Sequence, residues 1–596
     1  MPSSRIAFRH EANPVEAITE QAGASDDGDD ADPPLSPAGP LSLREVRVPH
    51  AAKLVLGLCV TAFCAILYAA RNLDFYFDEW SFIGTAGHWQ LRDYFVPHNE
   101  HWSTVPMLIY KALLDTVGLR SYLPYLGVLL LLHVSIAFLL FLIIRRRGGD
   151  VLALSAAAVM LFLGRGYENL LWAFQIGFLG SVAFGLLAIY LLGGGGGEVP
   201  GRLRAVGGSA ALLLALMSSG IGLFFFAAAA VDLFLDGRRR RLLWVHIAPG
   251  LAYLWWYFTF GQEAVAQDHT HFGLKTLEGL VGYAPVGIGS AAAGTFALSP
   301  LWAPVALAGL TATAVLLWYR KRLDTGLSIA AAVAIVLQYT LTGLVRARYG
   351  DNQAMAPRYA YIGAVFVLMI LAEALRDARW RGVRRAFVPI TAACMVAGGA
   401  TVLVQQAGRW TDTLTTQKYE LEITWLFRDA PSLDRTVVLD RRLLPVVDPS
   451  LYIATRLRYG THLPELTVAQ LAGIKPLIVN SEMRTLLPLH VTSTTSSTPL
   501  PAQCRSAVPT GSHVDLTVPD GSTASVQTLG AHAASQVNLA AWYLGNKPDG
   551  GYQQWWSVTS GHDLTIAFPD SGQHLSWHFR LTDASGGTVA VCVGAH

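Results

Sequence analysis

The sequence predicts a polytopic α-helical membrane protein of about eleven transmembrane helices, closed by a C-terminal extracytoplasmic domain of α/β and β-sandwich character. Three observations carry this expectation. Of 596 residues, 52% are hydrophobic and 14% charged, against about 25% charged in an average soluble chain. Apolar runs close to the ~20 residues that cross a bilayer as helix recur from Lys53 to Val404. Beyond residue 406 these runs stop, and the chain reads as soluble. A net charge of +2, with no basic recognition helix or basic tail, argues against nucleic acid as a partner.

Residues 1–50 read as a disordered, acidic cytoplasmic tail. "SDDGDDADPP" at 25–34 cannot bury a core. A long acidic segment is not a cleavable signal peptide. The first apolar run, 53–70, is therefore expected to be a signal anchor, with Arg44, Arg47 and Lys53 holding its start on the cytoplasmic side.

Residues 51–405 form the membrane domain. Its expected spans are 53–70, 122–144, 150–164, 171–192, 205–218, 220–236, 242–260, 301–319, 325–345, 359–376 and 386–405. With the tail inside, the basic clusters at 145–147, 202–204, 238–241, 320–322 and 376–385 all fall on the cytoplasmic side. The "SSGIG" turn at 218–222 then forms a tight hairpin whose small residues allow close helix packing. The same arrangement places the 71–121 loop, the 345–358 loop and everything after 406 outside, in a plasma membrane. The segment 261–300 reads as an outer loop carrying an amphipathic helix resting on the bilayer, with "QDHTHF" at 267–272 inside it.

The outer loops hold the chemistry. "FYFDEW" at 75–80 places Asp78 and Glu79 side by side. On a helix such neighbours point about 100° apart, so one could accept a proton while the other holds a ligand or metal. The surrounding aromatics suit the bilayer interface and could raise a carboxylate pKa by lowering the local dielectric. "HNEHW" at 98–102 adds His98, Glu100 and His101. On a helical turn the two histidines share a face, and with the glutamate they could bind a divalent cation or sugar hydroxyls. The HExxH spacing of a zinc site is absent. "RARYGDNQAMAPRY" at 346–359 carries Arg346, Arg348 and Arg358 on an outer loop, where arginine is normally scarce. Guanidinium groups suit an anionic lipid headgroup. "GRGYEN" at 164–169 adds Arg165 and Glu168, which either join this pocket or pair with each other.

An acidic pair, Asp78-Glu79, in the first large outer loop, an Arg358-Tyr359 step beside a late one, many spans and an outer C-terminal domain together resemble the GT-C glycosyltransferases. The nearest likeness is to the protein mannosyltransferase and aminoarabinose transferase clan. It covers about 50–405, in topology and short motifs. The resemblance implies a polyprenyl-phosphate sugar as donor and an acceptor on the outer face: cell-envelope glycan, glycolipid or protein. It further implies Asp78 as catalytic base, Glu79 as its partner, Arg358-Tyr359 at the donor phosphate, and inversion at the anomeric carbon. Two other readings stay open: a transporter or flippase of a polyprenyl-linked glycan, and a membrane-anchored scaffold. A flippase would place charges at several depths of a central cavity, whereas the polar groups here gather at the outer ends of the spans.

Residues 406–489 read as a small α/β segment, with strands expected at "RTVVLD" (435–440) and "PLIVN" (476–480). Residues 490–596 read as a β-sandwich of short alternating runs. Cys504 and Cys592 are the two cysteines outside the expected spans, and an oxidising compartment would allow them to pair. "YQQWW" at 552–556 either fills the sandwich core or stacks on a sugar ring. "GGGGG" at 193–197 lacks the context of a phosphate loop.

Overall fold

The computed structural model describes residues 43–193, 199–262, 274–319, 326–378, 386–495, 506–529, 534–585 and 588–594. Most of the 1–50 tail, the "QDHTHF" stretch and nearly all of "GGGGG" lie outside the described residues. Among them, seven helices are long and apolar enough to cross a membrane: Ala51–Ala69, Leu123–Gly148, Ala173–Leu192, Pro300–Tyr319, Gly326–Tyr349, Pro357–Leu375 and Phe387–Leu426. Each matches an expected span. The four other expected spans are shorter or broken. Asp150–Leu161 has 12 residues, Arg202–Ser218 has 17 and Gly222–Leu235 has 14. The 242–260 run divides into a 3-10 segment (Arg240–His246), a 10-residue helix (Ile247–Trp256) and a π turn (Tyr257–Gly261). A helix rises 1.5 Å per residue, so 12 residues cover only about 18 Å of the ~30 Å apolar layer.

The 274–295 region departs from the surface-helix expectation. Leu274–Thr295 is one helix of 22 residues, packed into the bundle. Tyr283, Ala291 and Ala293 are fully buried, and a Cβ at Gly287 would lie 2.1 Å from the Tyr339 ring. Gly287 and Gly289 bring this helix against Tyr339 and Ala303, so part of its modest hydropathy reflects glycines used for close packing.

Phe387–Leu426 is 40 residues long, about twice the length that spans the apolar layer. Its end braces the 71–121 segment: Gln417 Nε2 donates to Phe75 O at 2.7 Å and Lys418 Nζ to Asn72 O at 2.9 Å. The same helix meets the 164–168 turn closely. A Cβ on Gly164 would lie 2.0 Å from Gly399 O, so only glycine allows this backbone approach.

The 406–489 segment is helical rather than α/β. "PLIVN" opens the helix Pro476–Leu486, with Pro476 at its first turn, where a missing N–H costs nothing. "RTVVLD" is turn and loop, with one isolated bridge between Asp440 and Leu444. Pro449–Tyr459 is a second helix, capped by the Asp448 side chain on Leu451 N.

From His490 onward the chain forms nine strands among the described residues: β1 (His490–Thr495), β2 (Ser506–Val508), β3 (His513–Pro519), β4 (Thr523–Leu529), β5 (Ala534–Trp542), β6 (Tyr552–Thr559), β7 (His562–Ala567), β8 (Ser576–Ser585) and β9 (Thr588–Gly594). They make two antiparallel sheets, ordered β1-β7-β4-β9-β2 and β3-β8-β5-β6. Val526, Leu564, Ile566 and Val591 of the first sheet share one apolar cluster with Val537, Leu539, Phe579 and Leu581 of the second, the arrangement expected of a sandwich. Cys59, Cys64 and Cys394 are free thiols. Cys592 lies on β9 opposite Ser525, and Cys504 falls outside the described residues.

Candidate functional site

The 71–121 segment is held by aromatic packing. Phe75 is buried edge-on between Tyr122 and Tyr125, each with ring centroids 4.9 Å away. Phe77 then takes φ 52, a left-handed backbone that costs a bulky residue about 1–3 kcal/mol and tends to mark functional turns. Its N–H is fixed on Leu443 O at 3.0 Å. The turn puts Asp78 at the N-cap of the helix Glu79–Thr85, but the Asp78 side chain makes no capping hydrogen bond. An aspartate there normally caps. Here the carboxylate faces a cavity of about 400 Å³ instead.

That cavity draws together three of the sequence motifs. Asp78, His98, His101, Arg346, Arg358 and Tyr359 all line it. Aromatic walls come from Phe77, Trp172 and Phe174. The two arginines are held by carboxylates from distant segments. Arg346 Nη2 lies 2.8 Å from Glu100 Oε1, and Arg358 Nη1 lies 2.9 Å from Glu168 Oε2. Burial lifts the Asp78 carboxyl to about 6, with the positive charges of Arg358 and Arg346 acting against that rise.

Glu79 does not reach the cavity. It is fully buried in a cage where Tyr110 Oη donates to Oε1 at 2.6 Å, Tyr122 Oη at 3.1 Å, and Tyr76 N donates to Oε2 at 2.7 Å. Burial raises its carboxyl to about 8, only partly offset by these hydrogen bonds. Neighbouring carboxylates thus sit in separate environments: Asp78 lines the cavity, and Glu79 fixes the turn. The expectation that Glu79 orients a ligand or metal is corrected accordingly.

The HNEH segment is a tight turn rather than a helical one. His98 and His101 exchange both backbone hydrogen bonds at 3.1 Å, with Asn99 at φ 51. The His98 ring packs on Phe82 and Phe174, and the His101 ring on Phe178. Burial holds His98 down to about 4 and also lowers His101, so both rings are neutral near pH 7. His98 Nε2 and His101 Nδ1 are buried and make no hydrogen bond within the described residues. Among those residues no group of three or more His, Cys, Asp or Glu gathers to hold a metal ion. Glu100 serves Arg346, so the three HNEH side chains do not assemble as a metal set.

Five expected site residues are absent from the cavity lining: Glu79 in its cage, Glu100 and Glu168 paired with the arginines, and Arg348 and Arg165. Arg348 lies over the Tyr349 ring at 4.7 Å and donates to its hydroxyl at 2.8 Å. Arg165 packs its Cβ beside Gly294, and Glu168 pairs with Arg358 instead of with it. Conversely, Gln175 and Ser219 line the cavity, each with a buried side-chain oxygen lacking a hydrogen bond within the described residues. Ser219 belongs to the "SSGIG" turn, whose interruption of an apolar run was its one sequence signal. A narrower cavity of about 130 Å³ adjoins, sharing His101, Phe178, Arg346 and Tyr359 and otherwise lined by residues such as Leu223, Phe224, Leu341 and Val345. Glu100, Tyr253 and Thr342 also line it, and the two cavities meet at His101, Phe178, Arg346 and Tyr359. No protein-family model, curated protein or solved structure matches this chain.

Proposed function

We propose that this chain is a membrane glycosyltransferase of GT-C type, moving a sugar from a polyprenyl-phosphate donor to an acceptor hydroxyl on the extracytoplasmic face. The observation that carries the reading is the single cavity in which the Asp78 carboxylate meets Arg346, Arg358 and Tyr359. A lipid-phosphate sugar needs a base for the acceptor and positive charge for the departing phosphate. Asp78 takes the acceptor proton. The acceptor oxygen bonds to the anomeric carbon as the carbon–oxygen bond to phosphate breaks, with inversion. The bonding pair leaves on the phosphate, whose charge Arg358 and Arg346 stabilise.

His98, His101, Gln175 and Ser219 line the same space, and their polar side chains suit sugar hydroxyls. The apolar side of the adjoining cavity, formed by Leu223, Phe224, Leu341 and Val345, suits the first isoprene units. Glu100 and Glu168 orient the arginines. In this reading the N-terminal tail is cytoplasmic and the β-domain extracytoplasmic. The test is transfer from a radiolabelled polyprenyl-phosphate hexose in proteoliposomes. Arg358→Ala should raise the KM for donor more than it lowers kcat. Wild-type kinetics in Arg358→Ala and Arg346→Ala alike would remove the donor-phosphate assignment.

A further inference from the structure

The β-domain carries a second polar recess far along the chain from Asp78. On the outer face of the β3-β8-β5-β6 sheet, alternate residues point away from the sandwich core. Register places Thr582, Asn538 and Trp555 in one row across β8, β5 and β6, and Asp515, Arg580, Ala540 and Gln553 in the next, beginning at β3. Trp555 is 56% exposed, although a tryptophan this open on an edge strand invites aggregation. Its neighbour Trp556 is half-buried and donates to Tyr552 Oη at 3.2 Å, so the two rings of "YQQWW" divide between structure and surface.

Beside this row a recess of about 230 Å³ opens between Asp515, Trp542, Asn546, His578 and Arg580. Trp542 and His578 are stacked at 5.5 Å. Arg580 Nε and Nη2 grip Asp515 at 2.6 and 2.7 Å, which cancels charge while leaving fixed polar edges. The loop that forms its rim is fastened from outside the sandwich. The Asn480 amide accepts from Tyr543 N and Leu544 N at 3.0 and 2.8 Å and donates to Leu544 O and Asp549 O at 2.9 and 3.0 Å. Gly545 takes φ 88, and Trp542 Nε1 donates to its carbonyl at 2.9 Å. Four hydrogen bonds from one side chain hold the Asn546 rim in place before any ligand arrives, which lowers the entropy cost of binding.

We propose that this face binds an uncharged oligosaccharide, with Trp555 stacking on one sugar ring and Asn546, Asn538 and Gln553 reading hydroxyls. The chemistry is specific. The C–H edge of a pyranose carries slight positive charge and meets the negative face of indole. Hydroxyls need donors and acceptors together, which side-chain amides supply. The face spans three strand spacings, about 14 Å, room for more than one ring. The ion pair within the recess is closed on itself, so nothing there favours an anionic or cationic chain. The inference stands on the β-domain alone and is independent of the Asp78 chemistry.

The test uses full-length protein in nanodiscs, as wild type and as Asp78→Asn, titrated with mannohexaose, galactohexaose and arabinohexaose, and with hexagalacturonate as the anionic control. At least one neutral hexamer should bind, equally to wild type and Asp78→Asn. Trp555→Ala and Asn546→Ala should each weaken that binding about tenfold, while Trp555→Phe keeps most of it. Both positions are exposed, so the thermal transition should be unchanged and loss of fold separable from loss of site. Three results would each overturn the proposal: no neutral hexamer binding, binding unaffected in Trp555→Ala/Asn546→Ala, or tighter binding of hexagalacturonate than of every neutral hexamer. Binding lost in Asp78→Asn would place the sugar in the membrane-domain cavity and overturn it as well.

Discussion

The guanidinium of Arg358 lies 2.9 Å from Glu168 across 190 residues of sequence, while lining the cavity that Asp78 faces. An arginine aimed by a carboxylate loses little rotamer freedom when an anion arrives. Glu168→Ala removes the aim but not the charge. Donor KM in a transfer assay should rise roughly tenfold, with kcat less affected. An unchanged KM would show that Arg358 needs no such partner.

Asp78 must be ionised to act as a base, and burial lifts its carboxyl to about 6. The kcat/KM for transfer should therefore fall on the acid side with an apparent midpoint near that value. Arg346 opposes the rise, so Arg346→Gln should move the limb to higher pH. A pH–rate profile of the two proteins measures both effects. A limb that stays fixed when Arg346 is replaced would detach it from Asp78.

Glu79 gives a stability prediction of opposite character. Its folded carboxyl is raised to about 8 by burial, so between the ordinary glutamate range and that value the native state holds a proton that the unfolded chain has lost. Stability from this group is full at low pH and declines as pH rises through that window. Glu79→Gln mimics the protonated form and should flatten that decline, overtaking wild type at alkaline pH in thermal melts. Tyr110→Phe removes a 2.6 Å hydrogen bond to Glu79 and should cost about 1–3 kcal/mol.

Much of this arrangement was legible in the sequence, for physical reasons that also mark where legibility ended. Long apolar runs and basic clusters located all seven long helices, because bilayer thickness sets a length. Short runs such as 150–164 carry the same composition at lengths that fit burial within the bundle equally well, so composition alone does not separate a span from a buried helix. Asp78 and Glu79 were separable in principle, being about 100° apart on a helix, but which one turned inward depends on Tyr110 and Tyr122 from later helices. The Glu100–Arg346 pair bridges 246 residues, and no local pattern encodes such a contact. "PLIVN" is rich in β-branched residues but starts with proline, and its helix is favoured by burial of Val479 and Met483, four residues apart on one face.

The proposed topology puts the β-domain in an oxidising compartment, where Cys504 and Cys592 should form a disulfide. Closing a loop of about 90 residues would be worth roughly 4.6 kcal/mol in the chain-entropy model. Mass spectrometry of unreduced, alkylated protein should find neither thiol labelled. Alkylation of both in the folded protein would refute the bridge.

The central claim is that Asp78, and not its neighbour, is the base of a sugar transfer. Asp78→Asn and Glu79→Gln differ by one position and make the same chemical change. In proteoliposomes supplied with a polyprenyl-phosphate sugar, Asp78→Asn should lower the transfer rate by about 10²-fold or more, while Glu79→Gln, neutral in a cage that already holds a protonated carboxyl, should stay within a few-fold of wild type. Wild-type transfer by Asp78→Asn, or an equal collapse in both variants, would contradict the account.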